Sequence, residues 1–181
     1  MGYSIRAACY DRGNAEPTVT DANIVLQALN PTHLLGGRMH VRQDLARAAV
    51  DRLAARLGID ALAAAQGIIA VVTANMARAI RLISVQRGHD PRDYTLIAFG
   101  GAGPLHAARL AAEFGRGDVW LPEAGAFFSC PLYDREQLGT GNRIEGPAII
   151  EQMDATTLIV PGATVNVDQY LNLVMELQCA L

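Results

Sequence analysis

The 181-residue chain is 51% hydrophobic with a formal net charge of −3 and a pI near 5.8. That composition fills the core of one domain, or of a domain with a small appendage, and offers no basic stripe for nucleic acid or an anionic membrane. Cys9, Cys130 and Cys179 are dispersed, odd in number and without CxxC or Cys/His spacing, which argues against a disulfide framework and a zinc site and fits a reducing cytoplasm.

The amino terminus "MGYSIR" has no apolar signal core, and Arg6 stands where a myristoylation signal takes Ser or Thr. Residues 8–20, "ACYDRGNAEPTVT", are rich in turn formers and lead into "DANIVLQAL", a short helix that Asp21 can cap and that Asn30 and Pro31 end. "DLARAAVDRLAARLG" places Leu45, Ala49, Leu53 and Leu57 on one helical face, with Gly58 as the carboxy-terminal cap. Asp60 starts a second helix running to about Arg87, with Ile69, Val72, Met76, Ile80 and Ile83 as its apolar stripe and Gly88 closing it. Its most apolar window, "LAAAQGIIAVVTANMA", contains Gln66, Thr73 and Asn75 and is read as a buried helix, too short and too polar to span a bilayer.

After "GHDPRD", a turn that Asp90 before Pro91 favours, "YTLIAF" is a continuous apolar run of strand length, the pattern of a strand covered on both faces. "GGAGP" follows, and Pro104 opens a helix expected to end near Gly115, after which "DVWLP" reads as the next strand. Strand, helix and strand make a parallel crossover with the glycine turn at the end of its first strand, where open α/β sheets bind ligands. From Pro131 onward, "GPAIIEQ", "TTLIV", "ATVNV" and "YLNLVMEL" are short β-rich segments with turn signals such as Pro161-Gly162, a small antiparallel β module.

The glycine turn has two readings on its residues alone. Gly100, Gly101 and Gly103 let a ligand lie against the backbone, with the first N–H groups of the helix facing a phosphate or a nucleoside edge; or they serve only a tight strand-to-helix turn. The spelling is neither the dinucleotide fingerprint nor a P-loop.

Four blocks in order, "CYDRGNAEPTVTDANIVLQAL", "LLGGRM", "ANMARAIRLISVQRGHDPRDYTLIAFGGAGPLHAARLA" and "GPAIIEQMDATTLIVPG", resemble the hydantoinase A and oxoprolinase family, which includes acetone carboxylase β subunits. The resemblance implies an α/β fold: part of an actin-like ATPase (ribonuclease H-like) domain over residues 1–130, followed by a small carboxy-terminal β module over 131–181. It implies ATP, with magnesium, as cofactor, and hydrolysis of a cyclic amide such as hydantoin or oxoproline after phosphorylation of the ring oxygen. The implied partner is a hydantoinase B-like subunit; the alternative reading, from a long apolar helix and a "YTLIAF" strand left uncovered in a shortened domain, is a non-catalytic module or remnant that associates with a second copy of the chain or with another subunit. "FGGAGP" matches the loop approaching the adenosine end of the nucleotide, which makes Gly100, Gly101, Gly103 and the neighbouring His106 the cofactor-binding candidates. The family's two acid-and-glycine-rich phosphate loops lie upstream of the point matching Cys9 and are not among these 181 residues, and a long family segment is absent at Cys130-Pro131. The chain is therefore expected to be incomplete for phosphoryl transfer, which needs a positioned metal and phosphate clamps.

The remaining candidates keep two readings each. Asp21 in "TVTDAN" is the weak catalytic candidate, a substrate or metal-water ligand on one reading and a helix cap on the other. His106, in the first turn after Pro104, is either a neutral hydrogen-bonding group at the ligand or a packing residue. His89 and Asp90 shape a turn. Asn75, Arg78 and Arg81 face an interface or phosphate, or form a solvated polar face. No metal-ligand set or catalytic triad can be assembled from the four histidines.

Overall fold

The computed structural model describes residues 7–115 and 130–177. The chain divides into two compact units, residues 1–72 and 73–181.

The first unit opens with a 3-10 turn at Ala8–Tyr10 and helix α1 at Val19–Val25. Thr18, not Asp21, is the N-cap of α1. Asp21 is the third helical residue and completes a capping box with Thr18. The helix ends at Val25, four residues before the expected stop. Gln27 enters the left-handed region at φ 57, the Gln27 N–H donates to the Ile24 carbonyl and the Ala28 N–H to that of Asn23. That pairing satisfies the last carbonyls of α1 with glutamine in the place usually taken by glycine.

A two-stranded hairpin, β1 (His33–Leu34) with β2 (Met39–His40), leads to α2 at Gln43–Leu57, closed by Gly58 at φ 69 as its position predicts. The buried face of α2 is Ala46, Ala49, Val50 and Ala54, one step round from the expected leucine stripe. Leu57 is 59% exposed. The core this face joins includes Ala22 and Ile24 from α1 and Ala64, Ala65 and Ile69 from α3 (Ala61–Gln86). Small side chains on facing helices let the backbones approach closely, and leucine is displaced to the flank. Asp60 starts α3 as expected, accepting from the Ala63 N–H at 2.8 Å.

The reading of α3 as a buried helix is corrected. Ile69 and Ala77 are buried, but Leu82 and Ile83 are each 58% exposed and Val71 and Val85 each 63%. With a mean hydropathy of 1.6 over its most apolar window, α3 is long and apolar enough to cross a membrane, though one such helix is weak evidence of a span.

In the second unit, the later part of α3 packs Ala77, Met76 and Ile80 against Leu96 and against Leu110 and Phe114 of α4 (Gly103–Glu113). The other side of α4 contributes Ala108 to the core of the β module, with Ile150, Ile159 and Val165 among its buried residues. That module is two three-stranded sheets. One has the order β3 (Leu132–Asp134), β5 (Ala148–Glu151), β6 (Thr156–Ile159); the other β4 (Arg143–Glu145), β7 (Ala163–Val167), β8 (Leu173–Leu177). The expected segments are strands, but the module is not wholly antiparallel: β3 pairs parallel with β5 in the register Leu132 to Ile149. Alternating burial along β7, with Ala163, Val165 and Val167 inward, is the period-two pattern of a sheet covered on one face.

The strand expected at "YTLIAF" does not form. Residues 95–99 belong to no helix or ladder, and Ile97 and Phe99 are 77% and 83% exposed. An apolar run becomes a strand only where a neighbour accepts its backbone hydrogen bonds, and none among the described residues does. The second strand of the expected crossover, "DVWLP", lies outside the described residues, as does Cys179.

Candidate functional site

Glycine is required where the chain turns from residue 99 into α4. Gly100 and Gly101 have φ 69 and 23, a region that side chains disfavour, and the Gly103 N–H closes the turn on the Gly100 carbonyl at 3.0 Å. A Cβ placed on Gly100 or Gly101 meets nothing within 4 Å, whereas on Gly103 it reaches the Ala98 carbonyl carbon at 4.0 Å. The first two glycines thus answer a conformational need and face open space. Pro104 occupies the first turn as expected. Ala102 caps α4 without a side-chain hydrogen bond, and the first turn carries no acidic residue. The amino end of α4 therefore presents N–H donors and the positive end of the helix dipole without a protein counter-charge of its own.

His106 lies behind this turn, 3% exposed, and its Nδ1 has no hydrogen-bond partner. Burial, and then the neighbouring Arg109 charge, hold its pKa below the ordinary value, so the ring is a neutral imidazole at pH 7. Arg109 Nε is likewise buried and unpartnered, and burial lowers that guanidinium's pKa. The sequence pattern singled out His106 but not Arg109, three residues on and on the same face of α4.

Asp21 belongs to the first unit and is fully buried. Its carboxylate accepts from the Ala8 and Cys9 N–H groups at 3.0 and 2.8 Å and from the Thr18 N–H and Oγ1, each at 2.8 Å. Four donors fill most of its acceptor capacity. The same carboxylate contributes, after burial itself, to pushing the Cys9 thiol up to about 12, which leaves Cys9 an inert core thiol.

Asn75, Arg78 and Arg81 are exposed on α3. Arg81 Nη2 donates to the Glu113 carbonyl, with its Cζ 5.3 Å from the Phe114 ring centroid. His89 Nδ1 meets the Tyr94 hydroxyl at 2.8 Å, and Asp90, held at about 2 by its hydrogen bonds to Arg92, caps the 3-10 turn Pro91–Asp93. His89, Asp90, Pro91 and Arg92 border an open cavity of about 720 Å³ with Val85 and Phe114, at the carboxyl end of α4 and away from the glycine turn. Nothing in the sequence pattern pointed to it. Among the described residues no cluster of three or more His, Cys, Asp or Glu is arranged to hold a metal.

The family model for hydantoinase/oxoprolinase matches residues 1–132. The chain belongs to the hydantoinase/oxoprolinase family. The model for the hydantoinase/oxoprolinase carboxy-terminal domain matches residues 104–177. Among curated relatives, the acetophenone carboxylase gamma subunit of Aromatoleum aromaticum is 44% identical over 126 residues, 69% of this chain and 16% of that protein. The caprolactamase subunit alpha of Pseudomonas jessenii is 44% identical over 119 residues, 65% of this chain and 17% of its own length. The crystal structure of the ATP-dependent caprolactamase from Pseudomonas jessenii superposes with a TM-score of 0.80 at 20% identity, over 97% of this chain and 49% of the matched one. This hydantoinase/oxoprolinase chain therefore shares that fold, a mixed α/β arrangement with small carboxy-terminal sheets, and spans under a fifth of the two curated relatives and about half of the solved chain.

Proposed function

We propose that this chain supplies the adenosine-side nucleotide contact of an ATP-dependent, hydantoinase-type enzyme acting on a cyclic amide. Gly100, Gly101 and Gly103 receive the ribose and base edge on an actin-like scaffold. The observation that carries this is the uncapped amino end of α4 behind two open, positive-φ glycines, and the fold shared with the solved ATP-dependent caprolactamase supports it. The unpartnered Nδ1 of His106 is a neutral hydrogen-bonding group one turn behind the glycines and supports the same contact.

ATP, when bound, would supply the phosphoryl group that, carried on the ring amide oxygen, makes the amide carbon a better electrophile toward water. These residues hold the nucleoside end, and magnesium and the phosphates are held by groups other than the described ones. The activity belongs to an assembly with a hydantoinase B-like subunit in a reducing cytoplasm. The naming of the curated relatives as gamma and alpha subunits supports such association.

Amide chemical-shift mapping on the 181-residue chain, titrated with adenosine, tests the reading. Saturable shifts confined to Gly100–His106 are expected. Shifts centred on the cavity beside His89 and Phe114, or none at adenosine concentrations well above millimolar, would sink it.

A further inference from the structure

We propose that His33 and His40 form a two-imidazole site for a borderline divalent cation such as Zn²⁺, on the hairpin of the first unit. The four histidines are scattered in the sequence, but β1 and β2 set these two directly opposite each other, in the register His33 to His40 and Leu34 to Met39. Side chains alternate along a strand. Leu34 and Met39 pack on the core of the unit, so His33 and His40 share the other, outward face, where His40 is exposed and His33 half-buried.

The ladder brings the pair close. The Val41 N–H donates to the Thr32 carbonyl at 3.0 Å, the bond that flanks a non-hydrogen-bonded pair in an antiparallel ladder. His33 and His40 are that pair, the rung at which Cα atoms lie about 4.5 Å apart and side chains come nearest. Two nitrogens bound to one tetrahedral zinc at about 2.0–2.1 Å are roughly 3.3 Å apart, a span that rings on opposed residues close by rotation about χ1 and χ2.

A hydrogen-bond relay prepares His33 for this role. The Asn30 amide oxygen is fixed by the Thr32 and His33 N–H groups at 3.1 and 3.2 Å, and it also accepts from Thr32 Oγ1 at 3.0 Å. With its proton committed there, Thr32 Oγ1 accepts from the Nδ1–H of His33 at 2.9 Å. The Nε2 atom of His33 therefore holds the lone pair, which accepts from Asn30 Nδ2 at 3.2 Å. An imidazole whose other ring N–H is held by a neighbouring acceptor is the arrangement of a metal ligand, and ligation exchanges only the Asn30 Nδ2 bond for the cation. Imidazole selects zinc, copper and nickel over magnesium, so this site stands independently of nucleotide contact. Two protein ligands leave the other positions to water, an open site and not a closed structural one. Since two-residue strands make a marginal hairpin, the bound cation fastens β1 to β2.

Titration of the nitrogen-15-labelled 181-residue chain with Ni²⁺ in magnesium-containing buffer, followed by competition with Zn²⁺, tests the site. Paramagnetic Ni²⁺ below one equivalent is expected to broaden the amide signals of residues 30–41 first. Zn²⁺ then restores those signals and slows hydrogen exchange at the Val41 N–H. His33→Gln and His40→Gln each weaken binding by roughly tenfold or more, because the second ligand is no longer tethered to the first. Thr32→Val, which removes the acceptor of the Nδ1 proton, weakens it severalfold. His89→Gln leaves it unchanged, and the same spectra verify the fold of every variant. Broadening centred first on the cysteines, on the amino terminus or on His89 would overturn the proposal, as would broadening at 30–41 that survives either His33→Gln or His40→Gln. Reversal by added magnesium alone would overturn it too, since a hard cation has no preference for imidazole.

Discussion

Replacing Asp21 with alanine separates a structural carboxylate from a functional one. The substitution strips the acceptor from the Ala8, Cys9 and Thr18 N–H groups and the Thr18 hydroxyl, at a place where Ala8 is 2% and Cys9 0% exposed. Two fully buried N–H groups left without a partner cost about 1–3 kcal/mol each, and loss of the capping box adds roughly 1 kcal/mol, for a total of about 3–7 kcal/mol. A unit of residues 1–72 holds only about 4–10 kcal/mol altogether, so Asp21→Ala leaves it marginal or unfolded. Asp21→Asn keeps the volume but turns one acceptor into a donor, and falls between alanine and wild type. Pulsed thiol labelling in increasing urea, read by mass spectrometry at Cys9, reports the opening of this unit, because the native thiol is buried and its pKa is pushed up to about 12. Wild-type chain is expected to protect Cys9 to a distinct midpoint, and Asp21→Ala to expose it in buffer. If Asp21→Ala kept the wild-type midpoint while losing nucleotide or substrate response, the carboxylate would be functional and the hydrogen-bond reasoning wrong.

Gly146→Ala is expected to disrupt the β module by about 3 kcal/mol or more, because the new Cβ would lie 2.0 Å from the Val160 carbonyl oxygen and 2.9 Å from Ile159 Cγ2; an unchanged unfolding midpoint by circular dichroism contradicts this. Gln27→Gly relieves the left-handed φ of 57 and should raise the midpoint of the first unit by roughly 0.5–1 kcal/mol, with a lower midpoint counting against the turn described. His106 has its folded pKa below the ordinary 6.5, through burial first and Arg109 second, so the unfolded chain takes up the proton more readily. The stability of the second unit is therefore complete above pH 6.5 and lost as pH falls through that value toward the folded pKa. Denaturation midpoints between pH 7.5 and 5 should fall for wild type and flatten in His106→Leu, and an equal slope in both refutes the assignment.

Local chemistry was the most legible part of the fold. Gly58, Asp60, Gly88 and Pro104 mark helix ends that follow from backbone geometry alone, and the β segments after Pro131 announce themselves by turn residues and β-branched pairs. What was hidden depended on neighbours. The buried face of α2 is set by how closely α1 approaches, which selects Ala46 and Ala54 over Leu45 and Leu57. The parallel pairing of β3 with β5 is a long-range choice that no period-two pattern encodes. The apolar run at 95–99 was read as a covered strand because its residues ask for cover on both faces, and the structure covers only Leu96 and Ala98. At the site, the glycines and His106 stood out by type and position. Arg109 and the cavity beside Phe114 did not, since each is defined by what surrounds it. Asp21 was legible both as a cap and as a chemical carboxylate, and only its four donors distinguish how it is held.

The central claim, that the turn Gly100–Gly103 receives a nucleoside, is tested most directly by titration calorimetry with adenosine and with ATP, on the wild-type chain and on Gly101→Val. The variant forces a β-branched side chain onto φ 23 and fills the open face. The account predicts millimolar binding, about −4 kcal/mol, with ATP within severalfold of adenosine and no magnesium requirement, and loss of both in Gly101→Val while circular dichroism is unchanged. Adenosine binding that survives Gly101→Val, or ATP binding that is tight and magnesium-dependent, would contradict it.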